Sequence, residues 1–143
     1  MPSRSHHIAC VTDDPEAVIE FLTKVLGLEL TGELRAPGDA TSTILGWPEN
    51  DGAQGWMLGR GQGGLVEVIR IPDELRGQVE PRFALISFAT PDLEDRVQEC
   101  RNRGIDVSEP IRTKGEGMDL SGAVATVGGL AFELLRFEAP ASS

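Results

Sequence analysis

Basic side chains are scarce in this sequence: 13 Lys and Arg stand against 23 Asp and Glu, for a net charge of −10 over 143 residues. A nucleic-acid binder needs a basic stripe to offset phosphates, and no such cluster occurs, so nucleic acid is excluded as a partner. Long apolar runs are also missing; no stretch approaches the length that crosses a bilayer, and no membrane partner is expected. The opening Met1-Pro2-Ser3-Arg4-Ser5-His6-His7 lacks the apolar core of a secretory signal, which gives a cytoplasmic address as the expectation. Only two cysteines occur, Cys10 and Cys100, one in a strand-like and one in a helix-like segment. They read as free thiols in a reducing compartment, not as a disulfide scaffold.

What is present is a globular composition, with 40% hydrophobic and 25% charged residues, in a chain of ordinary single-domain length. It is organised by an internal repeat. His7-Ile-Ala-Cys-Val-Thr-Asp-Asp14-Pro-Glu16, a short strand running into a helix start, is echoed by Leu85-Ile-Ser-Phe-Ala-Thr-Pro-Asp92-Leu-Glu94. Asp14 and Asp92 stand where a helix N-cap belongs, each followed by an acidic residue in the first turn. Both helices end at glycine plus an aliphatic residue, Gly27-Leu28 and Gly104-Ile105. The closing strands match as well: Gly63-Gly-Leu-Val-Glu67-Val-Ile-Arg70-Ile71 is answered by Gly128-Gly-Leu-Ala-Phe-Glu133-Leu-Leu-Arg136-Phe137.

The expected architecture is therefore α+β, with two tandem βαβββ units forming a curved mixed sheet with a cleft, in one domain over residues 1–143. Unit one runs from about 5 to 72, a Pro- and Gly-broken linker from about 73 to 81, and unit two from about 82 to 138. Between the landmarks, strands are expected over 28–36 and 41–47, then a turn-rich insert from Pro48 to Gly55. In the second unit strands are expected over 106–114 and 121–127, joined at Gly115-Glu116-Gly117. The apolar face of the first helix reads as Ala17, Phe21, Leu22, Val25 and Leu26, and that of the second includes Val97 and Cys100.

The run from His7 through Asp14-Pro-Glu-Ala-Val-Ile-Glu-Phe21 to Gly27-Leu28 resembles the opening signature of the vicinal oxygen chelate superfamily. That group includes glyoxalases, methylmalonyl-CoA epimerases, extradiol dioxygenases, fosfomycin-inactivating transferases and bleomycin-resistance proteins. The resemblance covers almost the whole chain and implies the paired-unit fold. In metal-dependent members the first and last strand of each unit supply ligands; the matching positions here are His7, Glu67, Leu85 and Glu133. Three of these can bind a metal, and Leu85 cannot. The resemblance also implies a homodimer.

Strand alternation puts His7 with Ala9 and Val11, Glu67 with Leu65 and Ile69, and Glu133 with Ala131 and Leu135. A carboxylate among aliphatic neighbours is costly to bury alone, so two at matching positions suggest a shared partner. Three readings stay open. His7, Glu67 and Glu133 bind one divalent metal (Zn, Mn, Co, Ni or Fe), which polarises a carbonyl or enediolate oxygen while Glu67 or Glu133 moves a proton. Alternatively the glutamates floor a metal-free cleft for a drug or hydrophobic metabolite, the reading Leu85 favours. In the third reading they face solvent. The corresponding functions are a small-molecule lyase or isomerase and a binding or resistance protein.

Leu85 and Trp56 are the candidate substrate-binding residues; Trp47, Trp56 and Met57 either complete a core or dimer contact or lid the cleft. His6 is expected to point away from His7 into solvent. Arg70 and Arg136 fall on the strand face opposite the glutamates, and Gly59-Arg-Gly-Gln-Gly-Gly64, preceding a strand, is a poor phosphate loop. The turn Glu116-Gly117-Met118-Asp119 sits where related proteins place substrate-contacting loops.

Overall fold

The computed structural model describes residues 4–60, 63–115 and 118–138. Strand β1 (Arg4–Thr12) leads into helix α1 (Pro15–Glu20), whose last turn widens into a π turn over Phe21–Val25. Strand β2 (Glu29–Ala36), helix α2 (Gly38–Leu45), and strands β3 (Ala53–Arg60) and β4 (Gly63–Arg70) complete the first half. A short 3₁₀ turn (Asp73–Leu75) bridges to β5 (Arg82–Ala89) and helix α3 (Leu93–Asn102). Strands β6 (Asp106–Val107), β7 (Ile111–Gly115), β8 (Met118–Val127) and β9 (Leu130–Phe137) follow.

All nine strands join one sheet in the order β2-β3-β4-β1-β5-β9-β8-β6, with β7 also paired to β8. Each half repeats the same parallel pairing of its first and last strand, β1 with β4 and β5 with β9. The halves meet through the antiparallel pair β1–β5. Within that pair His7 opposes Ser87 and Ala9 opposes Leu85, while Ala9 pairs Glu67 and Ser87 pairs Glu133. A two-fold exchange of the halves therefore carries His7 onto Leu85, Ala9 onto Ser87 and Glu67 onto Glu133.

Three of the four repeat signals read from the sequence act as expected at the helix ends. The Asp14 side chain accepts from the Ala17 N–H at 3.2 Å, and Gly27 and Gly104 both take left-handed φ, at 76° and 72°. Asp92 holds the N-cap position of α3 without capping; its carboxylate takes the Arg96 guanidinium one turn on, at 3.1 Å. Helices α1 and α3 cover one face of the sheet, α1 over Cys10, Leu58 and Val68, α3 through Leu93 and Val97 onto Ala123. The opposite face curls inward until β2 and α2 come against β7 and β8. That concave side holds the third apolar cluster, built from Ala9, Val11, Ile69, Ile71 and Leu85 with Trp47, Ala53 and Leu75. Cys10 and Cys100 are free, and among the described residues no helix is long and apolar enough to cross a membrane.

Four local expectations are corrected. Residues 41–47 do not form a strand, because Pro37 and Gly46 frame helix α2, in which Ala40, Thr41, Ile44 and Leu45 share one face at helical spacing. The expected strand over 106–114 is cut in two by Pro110, which can offer no ladder N–H. The buried side of the first helix is Val18, Ile19 and Leu22, not the face centred on Phe21. Phe21 is 51% exposed because it shares the outer side with exposed Ala17, one turn back, while Val25 and Leu26, at 69% and 56%, follow the π turn that shifts the helical phase. The linker is not without regular structure, since its 3₁₀ turn buries Leu75.

Candidate active site

Three side chains from both halves of the sheet converge on its concave face. His7 on β1 has Glu67 on the adjacent strand β4 to one side and Glu133 on β9, two strands away, to the other, and alternation delivers all three to one face. His7 Nε2 stands 3.8 Å from Glu67 Oε1 and 3.9 Å from Glu133 Oε1. Both gaps are too long for hydrogen bonds. The two carboxylates keep only 15% and 11% of their side-chain surface exposed, so neither faces solvent.

Burial governs the charge state of all three groups. Removal from water, with His6 adding a smaller effect, lowers His7 to about 4, so the imidazole is neutral near pH 7. Burial, and then the charge of Glu133, lifts Glu67 to about 8. Burial raises Glu133 as well, and neighbouring Ser87 opposes part of that rise. The Ser87 hydroxyl is fully buried and has no completed hydrogen bond. Two carboxyl groups that repel one another in an apolar floor hold at least one proton between them near neutrality.

The sequence reading missed His6, which does not point into solvent. β1 shifts register against β5 between Ser5 and His7, and this bulge turns consecutive side chains to the same side. His6 Nδ1 lies 2.8 Å from His7 Nδ1, and the His6 ring stacks on Phe137 at 5.0 Å between centroids. The contact fixes the orientation of the His7 ring and leaves Nε2 for the glutamates. Nothing in residue spacing announces a bulge; the doubled histidine was the only available signal.

These groups form the floor of a cavity of about 370 Å³, a volume in the range of small-molecule sites. Its walls come from both halves of one chain: Leu34, Ala36, Met57 and Ile69 from the first, Leu120 and Leu135 from the second. Helix α2 closes one side with Thr41, Ile44 and Leu45. Leu85 lines the cavity as an apolar corner at the two-fold equivalent of His7. Asp119, held by Arg112 at 3.1 Å through both carboxylate oxygens, also lines it, while Glu33 borders it with its carboxylate turned to the Gln54 amide on the other face.

Trp56 stands elsewhere, which corrects its assignment to the substrate. Its neighbours Gly55 and Met57 line the cavity, so alternation turns the indole to the helix-covered face, against the cluster around Cys10 and Val68 and 5.7 Å from Arg70. Trp47 belongs to the concave core and Met57 to the cavity wall. Arg70 and Arg136 face outward as expected and pair with Glu16 and Glu94, the first-turn acids of the two helices. Asp119 is the part of the 116–119 turn seen at the cavity; Glu116 and Gly117 lie outside the described residues, as do Gly61 and Gln62 of the glycine-rich run.

The donor set of one imidazole and two carboxylates suits a borderline first-row divalent metal. Metal–nitrogen and metal–oxygen bonds of roughly 2.0–2.2 Å sum to more than either observed gap, so an ion fits between His7 and each glutamate without spreading them. Among the described residues no three His, Cys, Asp or Glu side chains already stand in closed ligand geometry, so the glutamates must swing inward to close on an ion. The uncompensated carboxylates are what a cation at this point would relieve.

Comparison with known proteins agrees with this architecture. The family model described as Glyoxalase/Bleomycin resistance protein/Dioxygenase superfamily matches residues 4–134. A Streptomyces coelicolor methylmalonyl-CoA epimerase variant in complex with 2-nitronate-propionyl-CoA superposes with a TM-score of 0.71 at 18% identity, over 97% of this chain and 100% of that one. The Mycobacterium tuberculosis methylmalonyl-CoA epimerase gives 0.72 at 14% identity, over 95% and 89%. A hypothetical protein from Bacillus halodurans gives 0.70 at 16% identity, over the full length of both chains. At these identities the likeness is one of fold. Among curated proteins no sequence relative was found.

Proposed function

The chain belongs to the Glyoxalase/Bleomycin resistance protein/Dioxygenase superfamily, and we propose that it is an isomerase or lyase moving a proton at the carbon beside a carbonyl group in a small molecule. The observation that carries this reading is the convergence of His7, Glu67 and Glu133 at the floor of a largely apolar cavity. Glu133, ionised, accepts the proton from carbon; Glu67, holding a proton near neutrality, returns one to the carbanion or to its enolate oxygen. Two carboxyl groups whose affinities for protons are pushed apart are the usual basis of such an acid–base division. His7 stands within one small side-chain movement of both and is neutral, so it can relay a proton or act as a ligand. The aliphatic walls keep water from the carbanion. His7, Glu67 and Glu133 would also hold a divalent metal, which when bound supplies polarisation of the carbonyl oxygen.

The test is solvent deuterium incorporation, followed by NMR, into a panel of carbonyl compounds. Wild-type protein should label a substrate at the carbon beside the carbonyl, Glu133→Gln should lose on the order of a hundredfold or more in rate, and Glu67→Gln should lose a comparable amount. Equal labelling by wild type and both variants overturns the reading. Leu85 supports a second reading, a metal-free binding protein, because it makes the fourth corner of the site apolar. Tight binding of a cavity-sized ligand with no labelling of any compound would select it.

A further inference from the structure

The bulge that turns His6 onto the concave face has a counterpart in the second half. Ser5 pairs with Phe88 and His7 with Ser87, which leaves His6 as the extra residue. Ala9 pairs with Leu85 and Cys10 with Phe83, which leaves Ala84 as its equivalent. Each stands just before the strand position that carries His7 in one half and Leu85 in the other. His6 lines the cavity, and Ala84 packs against the concave core that contains Leu85. The backbone device is repeated, and the side chains change in step: an imidazole precedes the imidazole, and a methyl group precedes the leucine.

The Nδ1 atoms of His6 and His7 are 2.8 Å apart, a distance that holds one hydrogen between them. Two hydrogens would collide there, and none would set two lone pairs against each other. A hydrogen on His7 Nδ1 has His6 as its acceptor and leaves Nε2 bare on the side of Glu67 and Glu133. The opposite choice puts the His7 hydrogen on Nε2, where the carboxylates at 3.8 and 3.9 Å are out of hydrogen-bond reach. His6 is only half-buried, so solvent can serve its own Nε2–H. Phe137, from the second half, packs on its ring with centroids 5.0 Å apart. We infer that His6 is a positioning residue of this site: it accepts the His7 Nδ1–H and so holds His7 in the tautomer whose free Nε2 lone pair ligates a divalent ion. Loss of such an outer partner typically weakens metal binding about 10- to 100-fold. The ligand role rests on the metal reading of the site; the tautomer rests on the contact between the two rings.

Nitrogen NMR of the full chain, isotope-labelled at histidine and freed of metal with chelator, reads the tautomer near neutral pH. Zinc titration calorimetry on the same samples reads its consequence. Wild type should carry the His7 hydrogen on Nδ1. His6→Asn, whose Oδ1 stands close to the place of the lost Nδ1, should keep that tautomer and bind zinc within about threefold of wild type. His6→Phe keeps a ring against Phe137 but offers no acceptor, so it should move the His7 hydrogen to Nε2 and weaken zinc binding about tenfold or more. Nε2–H on His7 in wild type overturns the inference without any variant having to fold. An unchanged tautomer in His6→Phe overturns it as well, and so does zinc bound equally tightly by wild type and His6→Phe. A wild type that shows the Nδ1–H tautomer and binds no zinc sinks the metal reading alone and leaves the contact's hold on the tautomer in place.

Discussion

Glu67 is held in the fold at a free-energy cost that depends on pH. Its carboxyl titrates at about 8 in the folded chain against 4.5 in a solvated one, first because it is buried and then because Glu133 is near. Below about pH 4.5 the group is protonated folded or unfolded and changes nothing. As pH rises toward 8 the unfolded chain releases the proton and the fold does not, so folding loses stability through that window; above 8 the full loss is present. Glu67→Gln removes that share of the slope, and buried Glu133 keeps its own. Urea unfolding of chelator-treated protein should show the variant more stable than wild type near pH 8, by up to a few kcal/mol, and little changed near pH 4. Equal stability at the higher pH would mean that the carboxyl is solvated. Leu85, the two-fold equivalent of His7, shows how one residue breaks the symmetry of a duplicated site: two carboxylates survive the repeat and only one imidazole does.

Among the elements, α2 departs furthest from the repeat, since it has no partner in the second half. It is tied at its base by Asn50, whose Oδ1 accepts from Thr41 Oγ1 and from the Gly52 N–H, both at 2.8 Å, while Nδ2 donates to the Pro48 carbonyl at 2.8 Å. Gly38 opens the helix so close to this loop that a Cβ there would stand 1.9 Å from the Asn50 carbonyl oxygen. Asn50→Ala leaves the Gly52 amide without its acceptor, while the Thr41 hydroxyl keeps the Gly38 carbonyl at 3.0 Å, and should cost roughly 1–3 kcal/mol in denaturant unfolding. Because α2 also walls the cavity, the variant should bind ligand more weakly than its loss of stability alone explains; unchanged affinity would make the clasp purely structural. The same element marks where sequence reasoning fell short. Three of the four residues of Thr41-Ser-Thr-Ile44 are β-branched and read as a strand locally, and only the spacing of cavity-facing residues betrays a helix. The π turn after Glu20 and the bulge at His6 escaped for a related reason. Each is a one-residue phase slip, invisible to a pattern that assumes constant period.

For the whole molecule the duplication was legible in the sequence, because caps, glycines and closing Glu strands recur in order, and the family resemblance then pointed to His7, Glu67 and Glu133. What spacing could not supply was the register between β1 and β5, which decides whether the two halves aim at one point or two. That register brings His7 from one half and Glu133 from the other to within 3.9 Å inside a single chain. The central claim is that His7, Glu67 and Glu133, drawn from both halves, close together on one divalent ion. Elemental analysis of protein purified without chelator, with His7→Ala and Glu133→Gln beside it, tests this most directly. The account predicts near-stoichiometric divalent metal in wild type and its loss in both variants, though they alter opposite halves of the chain. Wild type with no more metal than either variant would contradict it.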